Sequence, residues 1–240
     1  MNIFDEIDGL VEEAEDSDKK ASKAKQKLKR IREILRDSID RHRPAYDRFG
    51  ESNIVPILFM DIVGYSMLST DEEQKNAVEL LNRLVRKALP AANCTLDDVI
   101  CLPTGDGMCL CFIKTSDGPL TVAAKVQQQL AKQQPAPGKR KIEVRMGIHS
   151  GNVLRITDLK GSYNLAGAAI NISQRAMSFG DEGHILCTEE AYEHLKGMKD
   201  YKEAIKRIRK DFIAKHGLPL RLYNYHRLEK GFGNPKDPKR

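Results

Sequence analysis

Short apolar runs alternate with stretches of helical spacing along most of the chain, and this pattern predicts a mixed sheet covered by helices. The predicted elements are, in chain order, a strand at 54–61, a helix at 71–88, strands at 97–103 and 107–113, a helix at 119–133, a strand at 142–148, a helix at 166–179, a strand at 183–187, helical residues at 189–214 and a last strand at 220–227. Thr70 is the expected N-cap of the first helix, because Asp71 and Glu72 follow it.

These elements predict one globular domain at 51–230, which follows an N-terminal helical segment at 1–50. Within the domain, the order strand, helix, hairpin, helix, strand is that of a ferredoxin-like α+β core with additions. Residues 231–240 contain mainly glycine, proline and charged residues, so we expect a disordered tail there.

The N-terminal segment carries an apolar stripe formed by Leu28, Ile31, Leu35 and Ile39 at helical spacing. Residues 19–43 around it are mostly basic, but no aromatic residues are interleaved with the charges. We therefore expect a helix that packs on its own domain or on a partner subunit, and we do not expect nucleic-acid binding.

Composition limits the class of protein without deciding its function. The chain has 240 residues, of which 40% are apolar, so it is long enough for a real core, and its net charge of +6 suits phosphate ligands, nucleic acid or solubility alone. The five cysteines have no zinc-ligand spacing and fit reduced core residues. No apolar run reaches the roughly 18 residues of a membrane helix, and the acidic start is unlike a secretory signal, so we expect a soluble cytoplasmic protein without a membrane partner.

Two acidic residues stand at places where strands end. Asp61 follows a buried apolar run, and Asp106 lies in the turn of the predicted hairpin, which would bring it beside the end of the first strand. Two carboxylates at one sheet end can hold divalent cations, with substrate phosphates and water completing the coordination. Taken alone, Asp106 is equally typical of a hairpin turn and Asp61 of a loop cap. Together they indicate a nucleoside triphosphate site.

The loop after Asp61 contains Gly64, Tyr65 and Ser66. Gly64 permits a tight turn, and the amides of residues 62–66 are candidates for an anion-binding nest. The sequence has neither the Gly-Lys-Ser/Thr ending of a P-loop nor a dinucleotide-binding glycine motif. The loop alone therefore only suggests phosphate binding.

Asn171 and Arg175 are four residues apart in the predicted helix at 166–179, so they share a face. An amide one turn ahead of a guanidinium can orient a sugar while the arginine stabilises charge on a phosphoryl group. Without further context, such a pair is more often an ordinary solvated helix face.

The ordered motifs at 59–66, 105–107, 144–151 and 167–175 together resemble the class III adenylate and guanylate cyclase catalytic domain over residues 54–225. The resemblance implies a catalytic domain at 51–230 that binds two divalent cations, Mg²⁺ or Mn²⁺. Asp61 and Asp106 match the metal-binding aspartates, and the Ile62 carbonyl matches a backbone metal ligand.

The resemblance also implies a homodimer with composite active sites at the subunit interface. Asn171 and Arg175 match the pair that the other subunit contributes, which orients the ribose and stabilises the transition state. Lys215 is similar in position to a lysine that holds the triphosphate. The implied reaction is attack of the ribose 3′-oxygen on the α-phosphorus of a nucleoside triphosphate.

Two positions depart from the family pattern. Leu102 and Asn164 stand where adenylate enzymes have Lys and Asp, and where guanylate enzymes have Glu and a Cys-like residue. This departure is similar to that of the pyrimidine cyclase of the bacterial Pycsar antiphage system. The amide of Asn164 can pair with uracil or, flipped, with cytosine, and Tyr65 is a candidate to narrow the pocket or stack on the base.

The resulting hypothesis is a cyclase that makes a cyclic pyrimidine monophosphate, with UTP favoured over CTP, as an antiphage signal. The alternatives are an adenylate cyclase with unusual base contacts and a catalytically inactive cyclase-like regulator that binds a nucleotide or a partner.

Overall fold

A computed structural model describes residues 26–32, 52–135, 140–159, 163–196, 198, 201, 203–210, 212–214 and 217–239. The chain divides into two compact units, Met1–Arg43 and Pro44–Arg240. In the first unit, residues 26–32 are helical, and the rest of the stripe predicted from Leu28 to Ile39 lies outside the described residues. In the described part of the chain, no helix is both long and apolar enough to span a membrane.

The second unit contains ten strands and four α-helices among its described residues. The strands are β1 (Ser52–Ile62), β2 (Val99–Pro103), β3 (Gly107–Phe112), β4 (Val144–Thr157), β5 (Tyr163–Ala166), β6 (Ile185–Thr188), β7 (Ile205–Arg207), β8 (Phe212–Ile213), β9 (Pro219–Leu220) and β10 (Leu222–Tyr225). The helices are α1 (Asp71–Ala88), α2 (Gly118–Ala131), α3 (Ala168–Phe179) and α4 (Glu189–Leu195). The succession β1, α1, β2, β3, α2, β4 is the predicted ferredoxin-like order, which is confirmed.

The main sheet has eight strands. Seven of them follow the order β2-β3-β1-β4-β6-β10-β7, and β5 pairs with β4 outside this path. Strands β4 and β6 run parallel, whereas β1 is antiparallel to both of its neighbours, β3 and β4. A separate small sheet joins β8 and β9. Because β1 is central, its C-terminal end has the β2–β3 turn on one side and the start of β4 on the other.

Helix α1 illustrates how local sequence fixes an element. The Thr70 side chain accepts a hydrogen bond from the Glu73 amide at 3.2 Å, so the predicted N-cap is confirmed. The first turn is acidic and the last turn contains Arg86 and Lys87, which complements the helix dipole. Leu81 and Val85 lie on the buried face.

Alternation along β1 separates the core into two layers. Leu58 and Met60 point to the layer that α1 and α2 cover, whereas Ile57 and Phe59 point to a second layer that contains residues of α3. Asp61 follows Phe59 with the same alternation, and both side chains line one cavity. The metal-candidate carboxylate therefore lies on the α3 side of the sheet.

The prediction of a helix at 189–214 is wrong beyond residue 195. Helix α4 ends at Leu195, and Ile205–Arg207 is instead an edge strand that pairs with β10. The apolar residues of this stretch have spacing compatible with a helix, but pairing with the edge of β10 extends the main sheet and buries Ile205. The last strand is also shorter than predicted, because Pro219–Leu220 pairs with β8 and not with the main sheet.

The predicted disordered tail is also wrong for residues 231–239. Phe232 is buried and forms a bridge with Arg227, and Asn234 and Lys236 bond to the domain. The composition is typical of a disordered segment, but one buried aromatic ring and several side-chain amides hold the segment in place.

Candidate active site

Asp61 occupies the point at which three strands meet. It pairs in register with Gly107 of β3 and with Arg145 of β4, and it is only 7% exposed. Gly107 has no room for a side chain, since a Cβ there would lie 2.0 Å from the Met60 carbonyl oxygen. The close approach of β3 to β1 thus depends on a glycine next to the carboxylate.

Arg145 neutralises Asp61 directly. Its Nε and Nη2 atoms donate to the same Asp61 oxygen at 2.9 and 2.8 Å, and Nη1 donates to the Ser178 carbonyl at 3.5 Å. Burial raises the pKa of the Asp61 carboxyl above its ordinary value, the arginine opposes this shift, and the neighbouring Asp106 carboxyl adds to it. A divalent cation bound beside Asp61 would, like the arginine, favour the charged form of this carboxyl.

Asp106 reaches this place through the β2–β3 turn. The turn is closed by the Thr104 amide, which donates to the Gly107 carbonyl at 3.2 Å, and the Asp106 carbonyl accepts from the Ile62 amide at 3.0 Å. This second bond ties the turn to the end of β1. The structure therefore brings the carboxyl groups of Asp61 and Asp106 side by side.

The donor set fits a metal that needs few protein ligands. Among the described residues, no group of three or more His, Cys, Asp or Glu side chains could hold a metal ion. Two adjacent carboxylates still suit Mg²⁺ or Mn²⁺, because Mg²⁺ in proteins is commonly bound through one or two carboxylates, with substrate phosphates and water as the other ligands. Asp61 and Asp106 fit that arrangement, and the carbonyl of Ile62 follows directly in the chain.

A cavity of about 740 Å³ opens above these carboxylates. Its described lining includes both carboxylates, two arginines and two amides, namely Asp61, Asp106, Arg145, Arg175, Asn171 and Gln174. The last three of these side chains belong to α3, where Asn171 is exposed and Arg175 is half-buried. A single chain thus presents the carboxylates and the Asn/Arg pair to one cavity, and the sharing of these groups between two subunits stays a prediction.

Lys215 lies outside the described residues. Ile213 and Ala214, which precede it in the sequence, line the same cavity.

The predicted anion-binding nest at residues 62–66 is smaller than expected. The Ile62 amide donates to the Asp106 carbonyl and the Val63 amide donates to the Glu143 carbonyl, so neither faces a ligand. Gly64 has a φ of 70°, in the left-handed region that favours glycine, and it begins a short 3-10 turn. The Ser66 side chain is exposed. The predicted nest is therefore limited to the amides of residues 64–66.

Tyr65 does not line the cavity. Its half-buried side chain packs against the core layer that α1 and α2 cover, and Asp61 points to the opposite layer. The prediction that Tyr65 narrows the pocket or stacks on a base receives no support from this arrangement, whereas an ordinary packing role does.

The two base-reading candidates also lie outside the cavity lining. Leu102 packs against the α3-side core layer beside Ile100 and Cys109. The Asn164 side-chain oxygen accepts a hydrogen bond from the Leu165 amide at 2.8 Å, which fixes the orientation of its amide. Strands β2 and β5, which carry these residues, are in contact.

Arg145 and Gln174 are cavity residues that sequence reasoning missed. Arg145 is a charged residue between apolar Val144 and Met146 in a predicted strand, so its side chain had to face away from that core layer. That signal was visible in the sequence. Its pairing with Asp61, which lies 84 positions earlier, depends on the strand register and was not.

Comparison with known proteins agrees with this geometry. The family model of the adenylate and guanylate cyclase catalytic domain matches residues 46–217. A curated relative from Rhizobium meliloti, whose name assigns it to the adenylate cyclases, is 26% identical over 147 residues, which cover 61% of this chain. The matched region is 24% of that relative, so the chain spans about a quarter of its length.

Solved cyclase structures share the fold. The guanylate cyclase domain of RhGC from Catenaria anguillulae, in complex with GTP, superposes with a TM-score of 0.58 at 20% identity and covers 73% of this chain and 96% of its own. The guanylyl cyclase Cya2 superposes with a TM-score of 0.61 at 19% identity and covers 79% and 98%. With the family match over most of the chain, these likenesses lead to one conclusion: the chain belongs to the family of adenylate and guanylate cyclase catalytic domains.

Proposed function

We propose that this chain is a nucleotidyl cyclase that converts a nucleoside triphosphate to its 3′,5′-cyclic monophosphate and pyrophosphate. The observation that carries the proposal is the convergence of Asp61, Asp106, Arg145, Asn171 and Arg175 on one cavity. Its volume of about 740 Å³ lies within the usual range for small-molecule sites.

In the proposed reaction the ribose 3′-hydroxyl gives its proton to water, the 3′-oxygen bonds to the α-phosphorus, and the bond from that phosphorus to the bridging oxygen breaks, so that pyrophosphate leaves. Asp61, Asp106 and the Ile62 carbonyl would hold the divalent cations, Mg²⁺ or Mn²⁺. When bound, such ions lower the pKa of the attacking hydroxyl and stabilise the leaving oxygen.

The arginines and the amide contribute charge and position. Asn171 would bind the ribose, and the Arg175 guanidinium would stabilise charge that grows on the phosphoryl oxygens. Arg145 would hold Asp61 ionised in the free protein. Arg145 also lines the cavity, so its guanidinium would be in reach of a bound triphosphate.

We propose a homodimer with composite sites as the working form. Ile54, Leu154, Ile156 and Leu159 are apolar side chains exposed to solvent on β1, on β4 and at the β4–β5 turn. Exposed apolar residues grouped at one hairpin are typical of a contact surface. This surface lies toward the end of β1 and β4 that is away from Asp61. In the proposed dimer, the carboxylates of one subunit would work with Asn171, Arg175 and Lys215 of the other subunit, in place of the same residues of their own chain.

We further propose a pyrimidine substrate, UTP before CTP, and a role for the product as an antiphage signal. Leu102 is apolar where a purine enzyme needs a polar contact, and a site without matching polar groups loses discrimination for that base. The Leu165 amide fixes the orientation of the Asn164 side chain, so in one pose of the base Asn164 pairs well with only one of uracil and cytosine.

The test is turnover of the full chain with each of ATP, GTP, CTP and UTP in the presence of Mn²⁺ or Mg²⁺, with the cyclic product identified by mass spectrometry. A cyclic pyrimidine product supports the whole proposal. Cyclisation of ATP or GTP alone would reject the pyrimidine substrate and keep the cyclase, and the adenylate assignment of the Rhizobium meliloti relative favours ATP as the second candidate. Absence of turnover with all four would reject the cyclase and leave a nucleotide-binding regulator.

A further inference from the structure

We propose that residues 232–239, the C-terminal strap, position the end of α3 that carries Arg175. The inference rests on the proposed function, because it assigns Arg175 to the reacting phosphate. The strap residues touch no reacting atom and act through the turn between α3 and β6.

Hydrogen bonds connect the strap to that turn at several points. The Asn234 side-chain nitrogen donates to the Glu182 carbonyl at 2.9 Å, and the Lys239 amide donates to the Asp181 carboxylate at 2.9 Å. From the other side, the Asn224 side chain of β10 donates to the Asn234 carbonyl at 2.7 Å. The strap therefore lies between the sheet and the turn and binds both.

His184 connects the turn to the strap from within the core. Its side chain is fully buried, and its Nδ1 atom accepts from the Asp181 amide at 2.8 Å. Because a backbone amide can only donate, Nδ1 is unprotonated and Nε2 carries the hydrogen, which it donates to the Lys236 carbonyl at 2.7 Å. Both ring nitrogens are thus used, one within the turn and one on the strap.

The same turn flanks both arginines of the cavity. It follows Gly180, which ends α3 one turn after Arg175. The Gly183 amide donates to the Val144 carbonyl and the His184 carbonyl accepts from the Met146 amide, so the turn brackets Arg145 on β4. Backbone bonds to β4 hold the turn on one side and the strap holds it on the other. A loosened strap would leave the turn and the C-terminal end of α3 less firmly held, and Arg175 would lose its fixed position in whichever subunit's site it serves.

At Gly233 the backbone of the strap lies in close contact with His226 of the domain. Gly233 has a φ of 82°, and a Cβ there would lie 2.5 Å from the His226 Cβ atom. Gly231 has a similar φ of 71°, but a Cβ there would meet nothing within 4 Å. Gly233→Ala and Gly231→Ala therefore carry a similar backbone strain, and only the first pushes the strap away from the domain.

The experiment compares two pairs of variants in the full chain. Asn234→Ala removes the bond to Glu182 and, within the strap, the bond from the Lys236 amide. It is matched by Asp237→Ala, an exposed residue of the same strap with no described contact. Gly233→Ala is matched by Gly231→Ala. We expect Asn234→Ala and Gly233→Ala to lower kcat about tenfold with KM little changed, because small displacements of a catalytic group reduce turnover strongly, and the two controls to match wild type.

Two readouts separate positioning from simple loss of stability. The kcat is measured per folded molecule well below the melting temperature, and Asn234→Ala is repeated in an Arg175→Ala background. If the strap acts through Arg175, its removal has little further effect there. An undiminished effect in that background, or unchanged kcat in both strap variants, would overturn the inference.

Hydrogen exchange tests the same inference without turnover. We expect faster exchange at residues 176–184 in Asn234→Ala and Gly233→Ala than in their controls. Faster exchange confined to the strap would overturn the coupling to α3. If wild type cyclises no nucleotide, the proposed function fails, and hydrogen exchange still decides whether the strap holds α3.

Discussion

Two regions of the molecule differ: the phosphate end of the cavity, where the carboxylates lie, and the positions proposed to read the base. One chain brings the residues of the first region together, but it does not place those of the second in the same cavity. Asp61, Asp106 and Arg145 meet at the end of β1 and are held by strand register and backbone bonds. Leu102 and Asn164 lie on β2 and β5, outside the lining of that cavity. The carboxylate pair and its arginine are therefore built into the central strands of one chain, whereas the proposed base selection rests on residues of β2 and β5 that lie outside this cavity.

The largest effect is expected at the phosphate end. Asp106→Asn keeps the shape of the turn and the backbone bond from Ile62, but it removes one of the two carboxylates. We expect turnover to fall at least about 10³-fold, because charge stabilisation at such a site contributes several kcal/mol. The check is pyrophosphate release with Mn²⁺.

Asp97→Asn is the matched control, since Asp97 is exposed and lies outside the cavity lining. Melting temperatures of both variants should stay close to wild type. Substantial turnover in Asp106→Asn would show that the carboxylate pair is not the metal site and would remove the basis of the comparison.

Arg175→Lys is expected to have the next largest effect. It keeps the positive charge but replaces the planar fork of donors with a single ammonium group. We expect kcat to fall about 10²-fold with a smaller change in KM, as for loss of a group that acts mainly in the transition state. Steady-state kinetics with the preferred nucleotide provide the measurement, and a rise in KM with kcat unchanged would instead assign Arg175 to ground-state binding.

The two regions also differ in what the sequence could predict. The strand end at Asp61 and the turn at Asp106 follow from local signals, namely an apolar run and an Asp-Gly turn between two strands. The prediction that the two residues meet needed only the further assumption that this hairpin lies beside the first strand. The pairing of Arg145 with Asp61 depends on register between distant segments. The structure of residues 189–214 and of the tail depends on tertiary contacts, namely pairing with the edge of β10 and burial of the Phe232 ring. No local sequence pattern contains this information.

A smaller effect, confined to the choice of base, is expected at Asn164. In Asn164→Asp the Leu165 amide still has an acceptor, but the donor needed for a pyrimidine carbonyl or ring nitrogen is lost. We expect kcat/KM for pyrimidine triphosphates to fall about tenfold, since one hydrogen bond to a neutral group contributes roughly 0.5–1.5 kcal/mol. Competition assays with mixed nucleotides measure the ratio between UTP and CTP directly.

Asn152→Asp, on the neighbouring strand β4, serves as the control for added charge. A loss of turnover that is equal for all four nucleotides in Asn164→Asp would mean that Asn164 supports the fold or the dimer. The base-reading region would then have to be sought elsewhere, among residues that a partner subunit contributes.

The smallest effect is expected for Tyr65→Phe, which tests whether Tyr65 belongs to the phosphate end of the cavity. Tyr65 packs against the helix-covered core layer and not into the cavity, so loss of its hydroxyl should leave kcat/KM for every nucleotide within about twofold. Tyr65→Ala removes the ring as well, and we expect it to lower the free energy of unfolding by about 1–3 kcal/mol while nucleotide preference stays the same. Urea unfolding and the four-nucleotide assay measure the two quantities separately. A change of base preference in Tyr65→Phe would instead show that the loop after Asp61 turns toward the base when nucleotide is bound. The base-reading region would then include the loop at the end of β1 and not only β2 and β5.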